Sequence, residues 1–380
     1  MHICVFTTAH PWDDVRVKSK FVDSFLDAGD RVTWIGPDRA FFEVPTSRDQ
    51  RVDHMLVPSS PGWKGRLSSM RSLRASLAAL DEVDWVYTPD PDAAALALTV
   101  PGIRVLFDIH EEYHKGHLVR SAPAGLNVIA ERTVRRAIAV IARRCDLVTS
   151  VNQSILTTYA VRGDKGLVTF NTPPDWFKRQ VPLEPVEGNA STPMSFFHGK
   201  ALAGNGTGVV LDALGEARRR GVDARVMIFP STGPIDGPPY DQAFPDRSRQ
   251  VDVKDGLVLL AGQPHKSMPG VMSAADVGLI AYDRNLGVGS LPNRFFEYLA
   301  LGIPVIVPEY SPLLCEIVNT ESVGVIADFE DPMSVANAMQ RMASDPETTA
   351  AMGMRAHQAF VNRYSWTPIF TRLRRRMVDA

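Results

Sequence analysis

The sequence predicts an α/β protein of two doubly wound domains, each on a mainly parallel sheet, with a cleft between them. Three observations carry this. Short β-branched or apolar runs alternate with segments of helical periodicity, the signature of βαβ units. A second series of the same kind begins after a proline-rich, non-periodic stretch. The 380 residues suffice for two separate cores. In such sheets ligands bind at the carboxyl ends of the strands, so the loops there hold the candidates for function.

A strand at 3–7 opens the chain and leads into a polar loop at 8–14. Residues 15–28 have apolar side chains at 17, 21 and 25 and again at 22 and 26, and Gly29 closes an amphipathic helix. Strands follow at 31–35, 55–57, 84–87, 104–107, 146–150 and 167–170, with helical stretches at 67–80, 92–98 and 128–144. From Lys178 the chain has three prolines within 16 residues and no periodicity. That predicts a linker, 179–193, between an N-terminal domain, 1–178, and a C-terminal domain, 194–364. The second series reads strand 194–198, helix 207–220, strands 224–229 and 257–260, helix 267–274 and strand 277–281. Helix 293–301, strands 303–307 and 323–327 and helix 332–344 complete it. Residues 230–250 form an irregular insertion.

Composition narrows the function class. With 45% hydrophobic and 22% charged residues the chain is ordinary globular protein. A net charge of −2 gives no global reason to expect nucleic acid as a partner. Cys4, Cys145 and Cys315 lie far apart without metal-ligand spacing, which predicts buried free thiols in a reducing compartment. The chain starts directly as a strand, Met1-His-Ile-Cys-Val-Phe, too short and polar-flanked for a signal peptide. No run of about 18 apolar residues occurs, so no transmembrane helix is expected. There is no metal cluster, nucleophile elbow or Walker loop.

Three stretches carry the candidate chemistry. The first is Asp108-Ile-His-Glu-Glu-Tyr113, directly after a strand, where His110 can act as a base or as a neutral donor to a hydroxyl. A surface histidine with helix-capping acids is the plainer alternative. The second is Phe197-His-Gly-Lys-Ala-Leu-Ala-Gly-Asn-Gly-Thr-Gly208, whose glycines let backbone N–H groups approach an anion while Lys200 adds positive charge. Its glycine spacing is not G-x-G-x-x-G, and strand 224–229 ends at Pro230 without a ribose-binding acid, which argues against a nicotinamide dehydrogenase. The third is Gly287-Val-Gly-Ser-Leu-Pro-Asn-Arg-Phe-Phe-Glu-Tyr-Leu-Ala-Leu-Gly-Ile-Pro-Val-Ile-Val-Pro308. Here a glycine-bearing loop ends at Pro292, which suits a first helical position, and Gly302 suits a left-handed cap. Asn293, Glu297 and Leu301 share one helix face. A helix N-terminus suits a phosphate, and a carboxylate one turn further in can hold a diol. Alternatively Glu297 forms an internal ion pair, with Arg294 the nearest cation. Basic amphipathic segments at 63–77 (Arg66, Arg71, Arg74) and 372–376 read as solvated helix surface, with an anionic membrane as the other contact they suit.

These stretches resemble the retaining glycosyltransferases of family 4, also called glycosyl transferases group 1, which have the GT-B fold of two Rossmann-like domains. Asp14-Val-Arg-Val through Ala28-Gly-Asp-Arg-Val-Thr resembles the family's opening strand, loop and helix. Tyr87-Thr-Pro-Asp-Pro-Asp resembles a following strand-end loop, and Phe107-Asp-Ile-His-Glu the motif with its active-site histidine. Cys145-Asp-Leu-Val-Thr-Ser-Val and Phe170-Asn-Thr-Pro-Pro are similar to the segments before its linker. Pro292-Asn-Arg-Phe-Phe-Glu-Tyr-Leu-Ala-Leu-Gly-Ile-Pro-Val-Ile is similar to a donor-site helix of that family. Tyr364-Ser-Trp366 resembles the start of a last helix, 365–380, that crosses back to the N-terminal domain.

The resemblance implies sugar transfer from a UDP- or GDP-type donor to an acceptor hydroxyl, with retention and without a metal or other cofactor. The donor would lie in the C-terminal domain, against Gly199, Lys200, Asn205, Ser290, Leu291, Asn293, Arg294 and Glu297, and the acceptor in the N-terminal one. Glu297 would hold the ribose hydroxyls. The backbone of Ser290 and Leu291 would face the diphosphate with Arg294. His110, Lys200 and Arg294 would be the catalytic side chains. Gly289 stands where the family commonly has an earlier glutamate, and Asp283 is the nearest replacement. Asn205, Gly206 and Thr207 stand where it commonly has a lysine, so neutralisation of the diphosphate leans on Lys200 and Arg294. A nucleotide-sugar epimerase and a non-catalytic nucleotide-sugar-binding subunit are the alternative functions. The expected setting is cytoplasmic, in glycan, cell-envelope or glycoconjugate synthesis, with peripheral contact to an anionic inner membrane face as an option.

Overall fold

The computed structural model describes residues 1–12, 14–37, 49–57, 62–115, 119, 126–178, 193–202, 204–229 and 254–380. The 230–250 insertion, and all but the last residue of the 179–193 linker, lie outside them.

The chain divides into two compact units, Met1–Asn171 with Trp366–Ala380, and Thr172–Ser365. The first holds a seven-stranded parallel sheet in the order β3-β2-β1-β4-β5-β6-β7. Its strands are β1 (His2–Phe6), β2 (Arg31–Pro37), β3 (Val52–Val57), β4 (Trp85–Thr88), β5 (Arg104–Ile109), β6 (Leu147–Ser150) and β7 (Gly166–Val168). The second holds a six-stranded parallel sheet in the order β10-β9-β8-β11-β12-β13. These strands are β8 (Met194–Lys200), β9 (Ala224–Phe229), β10 (Leu257–Leu259), β11 (Val277–Leu279), β12 (Val305–Pro308) and β13 (Gly324–Ala327). Two doubly wound α/β sheets are thus present, as the alternation of elements predicted.

Side-chain alternation explains the layers of the first unit. Along β1, Ile3 and Val5 join one apolar cluster with Trp366, Ile369, Phe370, Leu373 and Met377 of the C-terminal helix, Trp366–Asp379. Cys4 and Phe6 point to the other face, among Leu73, Leu77, Ala93 and Ala97. Burying side chains of this size stabilises the unit by about 1.5–3 kcal/mol each. Hydrogen bonds fix the helix in register: Trp366 Nε1 donates to Ser24 Oγ at 2.7 Å and Trp85 Nε1 to the Met377 carbonyl at 3.1 Å.

Local details depart from the expected elements. Residues 15–28 do not form one α-helix; Val17–Val22 is π-helical and Asp23–Asp27 α-helical. The wide turn, in which Phe21 N donates to Arg16 O at 3.4 Å, brings Arg16, Val17, Lys20, Phe21 and Val22 into the interior together. Helices Gln153–Thr158, Pro312–Glu321 and Pro346–Ala359 were not expected, although Asn152, Ser311-Pro312 and Asp345-Pro346 are helix-start residues. Cys4 and Cys145 are buried free thiols, but Cys315 is only half-buried.

Candidate functional sites

Each unit gathers polar side chains at the carboxyl ends of its strands. In the second unit β8 carries an irregularity between Phe197 and Gly199. Gly199 has φ +93°, and a Cβ there would lie 2.2 Å from Arg294 Nη1, so the arginine rests directly on the glycine. Arg294 Nη1 donates to the His198 carbonyl at 2.7 Å. The arginine is therefore tied to the backbone beside Gly199, and the internal basic partner of Glu297 is His265, not Arg294. His198 is buried, with Nε2 3.0 Å from Thr207 Oγ1. Burial, and then the charge of Arg294, push its pKa down to about 3, so it is neutral.

The loop after β8 is ordered from within. Asn205 Nδ2 donates to the Lys200 carbonyl at 3.0 Å, so the amide group of Asn205 shapes the loop, while the Lys200 side chain is exposed. Gly206, at φ +64°, packs so closely on the Ala281 carbonyl that a Cβ would lie 2.0 Å from it. Asp283 caps the short helix Arg284–Gly287 through Leu286 N at 3.0 Å. That gives the candidate stand-in for the first acid a local structural task.

Helix Asn293–Leu301 has the expected bounds, with Pro292 before it and Gly302 at φ 72° after it. In its first turn Phe295 N donates to the Pro292 carbonyl at 3.1 Å. The Ser290 amide already donates to Gly287 O at 3.2 Å, so of the two backbone donors expected to face a diphosphate, Ser290 serves the turn. Leu291 is buried. Glu297 is 8% exposed, and its Oε1 accepts from Asn293 Nδ2 and lies 3.2 Å from His265 Nε2. These are the partners that a buried carboxyl group requires. His265 packs against the rings of Trp176 and Phe177, centroids 5.6 and 5.5 Å away. His265 was missed in the sequence because nothing local marks it.

In the first unit His110 follows β5. Its Nδ1 is buried without a hydrogen-bond partner, 3.9 Å from Asp108 Oδ2. Asp108 accepts from Arg16 Nε and Nη2, both at 2.7 Å, from Thr149 Oγ1 at 2.8 Å and from Tyr87 OH at 3.3 Å. Burial alone would raise its pKa, but the Arg16 charge and hydrogen bonds hold it well below the usual carboxylate range. His110 is lowered instead, by burial first; Asp108 opposes that shift, and Arg16 and His10 reinforce it. His10 and Asp90 complete the cluster and were not singled out in the sequence. The signal was their position, each just beyond a strand of the same sheet.

Among the described residues no group of three or more His, Cys, Asp or Glu side chains could hold a metal ion. No described helix is long and apolar enough to cross a membrane. Two of the arginines near the C-terminus serve packing: Arg374 binds Asp30 at 2.8 Å and Arg376 the Gly166 carbonyl at 2.7 Å. Arg74 likewise donates to Thr99 Oγ1 at 2.7 Å. The Arg66 side chain lies outside the described part.

Residues 189–359 match the family model described as Glycosyl transferases group 1. Over 190 residues the chain is 25% identical to a D-inositol 3-phosphate glycosyltransferase of Corynebacterium diphtheriae, covering 50% of this chain and 43% of the relative. Over 164 residues it is 26% identical to a GDP-mannose-dependent alpha-(1-6)-phosphatidylinositol monomannoside mannosyltransferase of Mycolicibacterium smegmatis, covering 42% and 41%. The matches thus span less than half the length of these relatives. In fold the chain is similar to Anabaena HepE solved with UDP, with a TM-score of 0.76, 14% identity and 100% of both chains covered. It is also similar to a sucrose-phosphate synthase from Thermosynechococcus elongatus, with a TM-score of 0.74, 13% identity, and 100% and 99% covered. At such identities the likeness is one of fold, and that fold is GT-B. Within a chain of the GT-B fold, residues 189–359 are thus similar to the glycosyl transferases group 1 family.

Proposed function

We propose that this protein is a retaining glycosyltransferase that moves a sugar from a UDP- or GDP-type donor to an acceptor hydroxyl. The observation that carries this is the buried Glu297, one turn into a helix whose N-terminus opens on a glycine-bearing loop, within the family-matched segment. Its Oε1 is engaged by Asn293 and His265, which holds the carboxyl group in place and leaves Oε2 to accept from a ribose diol. The helix start supplies partial positive charge for the diphosphate, and Arg294 and Lys200 add full charges; this neutralises a leaving group without a metal. The donor nucleotide belongs to residues 194–364 and the acceptor to residues 1–178.

In the transfer the bond from the sugar's anomeric carbon to the diphosphate oxygen breaks. A bond from the same carbon to the acceptor oxygen forms on the same face. The proton of the acceptor hydroxyl passes to the departing phosphate. His110, half-buried and with its protonation disfavoured, hydrogen-bonds the transferred sugar near the reacting carbon. The names of the relatives support both bases, since one uses GDP-mannose and the HepE structure holds UDP. A role in glycan or cell-envelope synthesis, on the cytoplasmic side, accords with them.

Calorimetry with UDP- and GDP-sugars tests this proposal. The wild-type chain should bind at least one. Glu297→Ala should weaken binding by about 1.5–3 kcal/mol, roughly 10- to 100-fold, the worth of hydrogen bonds to a charged group. Failure of the wild type to bind any of them would refute it.

A further inference from the structure

The first unit holds a second histidine that the transfer scheme does not use. His10 lies in the loop after β1, and its Nδ1 is 2.8 Å from Asp90 Oδ1 in the loop after β4. Asp90 is itself fixed, accepting from Thr7 Oγ1 and from the amides of Thr8 and Ala9 at 2.9 and 3.1 Å. From this anchor the His10 ring stands edge-on to His110, with centroids 5.1 Å apart and planes at 74°. On another side Tyr113 meets His110 at 6.1 Å and 78°, and its hydroxyl donates to the Pro89 carbonyl at 2.6 Å. Two rings tied to neighbouring residues of one loop therefore pack against an imidazole whose Nδ1 has no hydrogen bond to orient it.

We propose that His10, clamped by Asp90, is a positioning residue for His110 that fixes the plane of its ring and opposes its protonation. The proposal rests on the placing of His110 at the transferred sugar. The charges around each ring support it. Against His110, burial is the largest influence and disfavours the cation; Asp108 and Glu111 favour it, while Arg16 and His10 disfavour it. Around His10, burial also disfavours the cation, but the hydrogen bond and charge of Asp90, with Asp14 and Asp108 behind, outweigh it and raise the pKa. Two adjacent histidines are thus driven in opposite directions, His10 towards imidazolium and His110 towards the neutral form. Such divergence marks a division of labour between titratable groups. A neutral His110 can donate or accept a hydrogen bond to a sugar hydroxyl without placing a full charge beside the cationic reaction centre.

His10→Gln in the full chain removes both the ring and the charge. Imidazole NMR through a pH titration should show His110 titrating at higher pH than in the wild type, because one of its two cationic neighbours is gone. With UDP-glucose or GDP-mannose as the donor and nucleoside diphosphate release as readout, kcat should fall about 10²-fold, the scale of an ångström-sized misplacement. The donor KM should hold, and the acid limb of the pH profile should move to higher pH. His10→Phe, which restores a ring without a charge, should raise the His110 titration point yet recover part of the rate; it also serves if the glutamine variant does not fold. An unmoved His110 titration in the folded variants would overturn the proposal, and so would wild-type turnover in His10→Gln. If His110→Ala transfers at the wild-type rate, the role given to His110 fails, whereas the titration still reports whether His10 governs its charge.

Discussion

In the first unit, ion pairs hold the functional groups: Arg16 is locked on Asp108 beneath His110, and Asp90 holds His10 beside it. In the second, backbone geometry does most of this. Arg294 lies on the bare Cα of Gly199 and donates to a carbonyl, and Glu297 is set by a helix start and by Asn293 and His265. Both sites lie at the carboxyl ends of parallel strands, yet their vulnerabilities differ. A charge-held site fails when one partner of a buried pair is lost. A backbone-held site fails when atoms are added where the chain has no room.

The largest effect separating the two is expected from Arg16→Leu, which leaves Asp108 buried without its cation. Breaking a buried pair in this way costs about 3–5 kcal/mol, measurable by chemical denaturation of the folded chain. A loss under about 1 kcal/mol would place this pair among solvent-exposed ones and break the contrast. Gly199→Ala should have a smaller effect on stability, about 1–3 kcal/mol for an L-residue held at positive φ. Its main consequence should be weaker donor binding, because the new methyl group displaces the Arg294 guanidinium. Unchanged donor affinity in this variant would show that the seat of Arg294 on Gly199 does not matter to binding.

The same contrast explains what was legible in the sequence. The helix Asn293–Leu301 could be read to the residue, since Pro292 and Gly302 mark its ends and its apolar face follows from spacing. Both sheets could be read as parallel from the alternation of elements. The partners within the sites could not. His10 and Asp90 are 80 residues apart, Arg16 and Asp108 are 92, and His265 and Glu297 are 32. The first two pairs meet because β1 lies beside β4 and β4 beside β5, so the loops after these strands are neighbours. Periodicity shows that strands exist, but their lateral order decides which loop faces which. The π-helical turn at Val17–Val22 was equally hidden, because Arg16 is drawn inward by an aspartate much later in the chain.

In the proposed transfer, donor binding falls to Glu297 and its helix, and chemistry to His110. The most direct test is His110→Ala, with donor affinity measured by calorimetry and turnover by nucleoside diphosphate release. The predicted result is a donor Kd within about twofold of wild type and a kcat lower by about 10²–10⁴-fold, the pattern of a group that acts in the transition state. Turnover at the wild-type rate, or a loss of donor affinity large enough to account for the fall in rate, would contradict it.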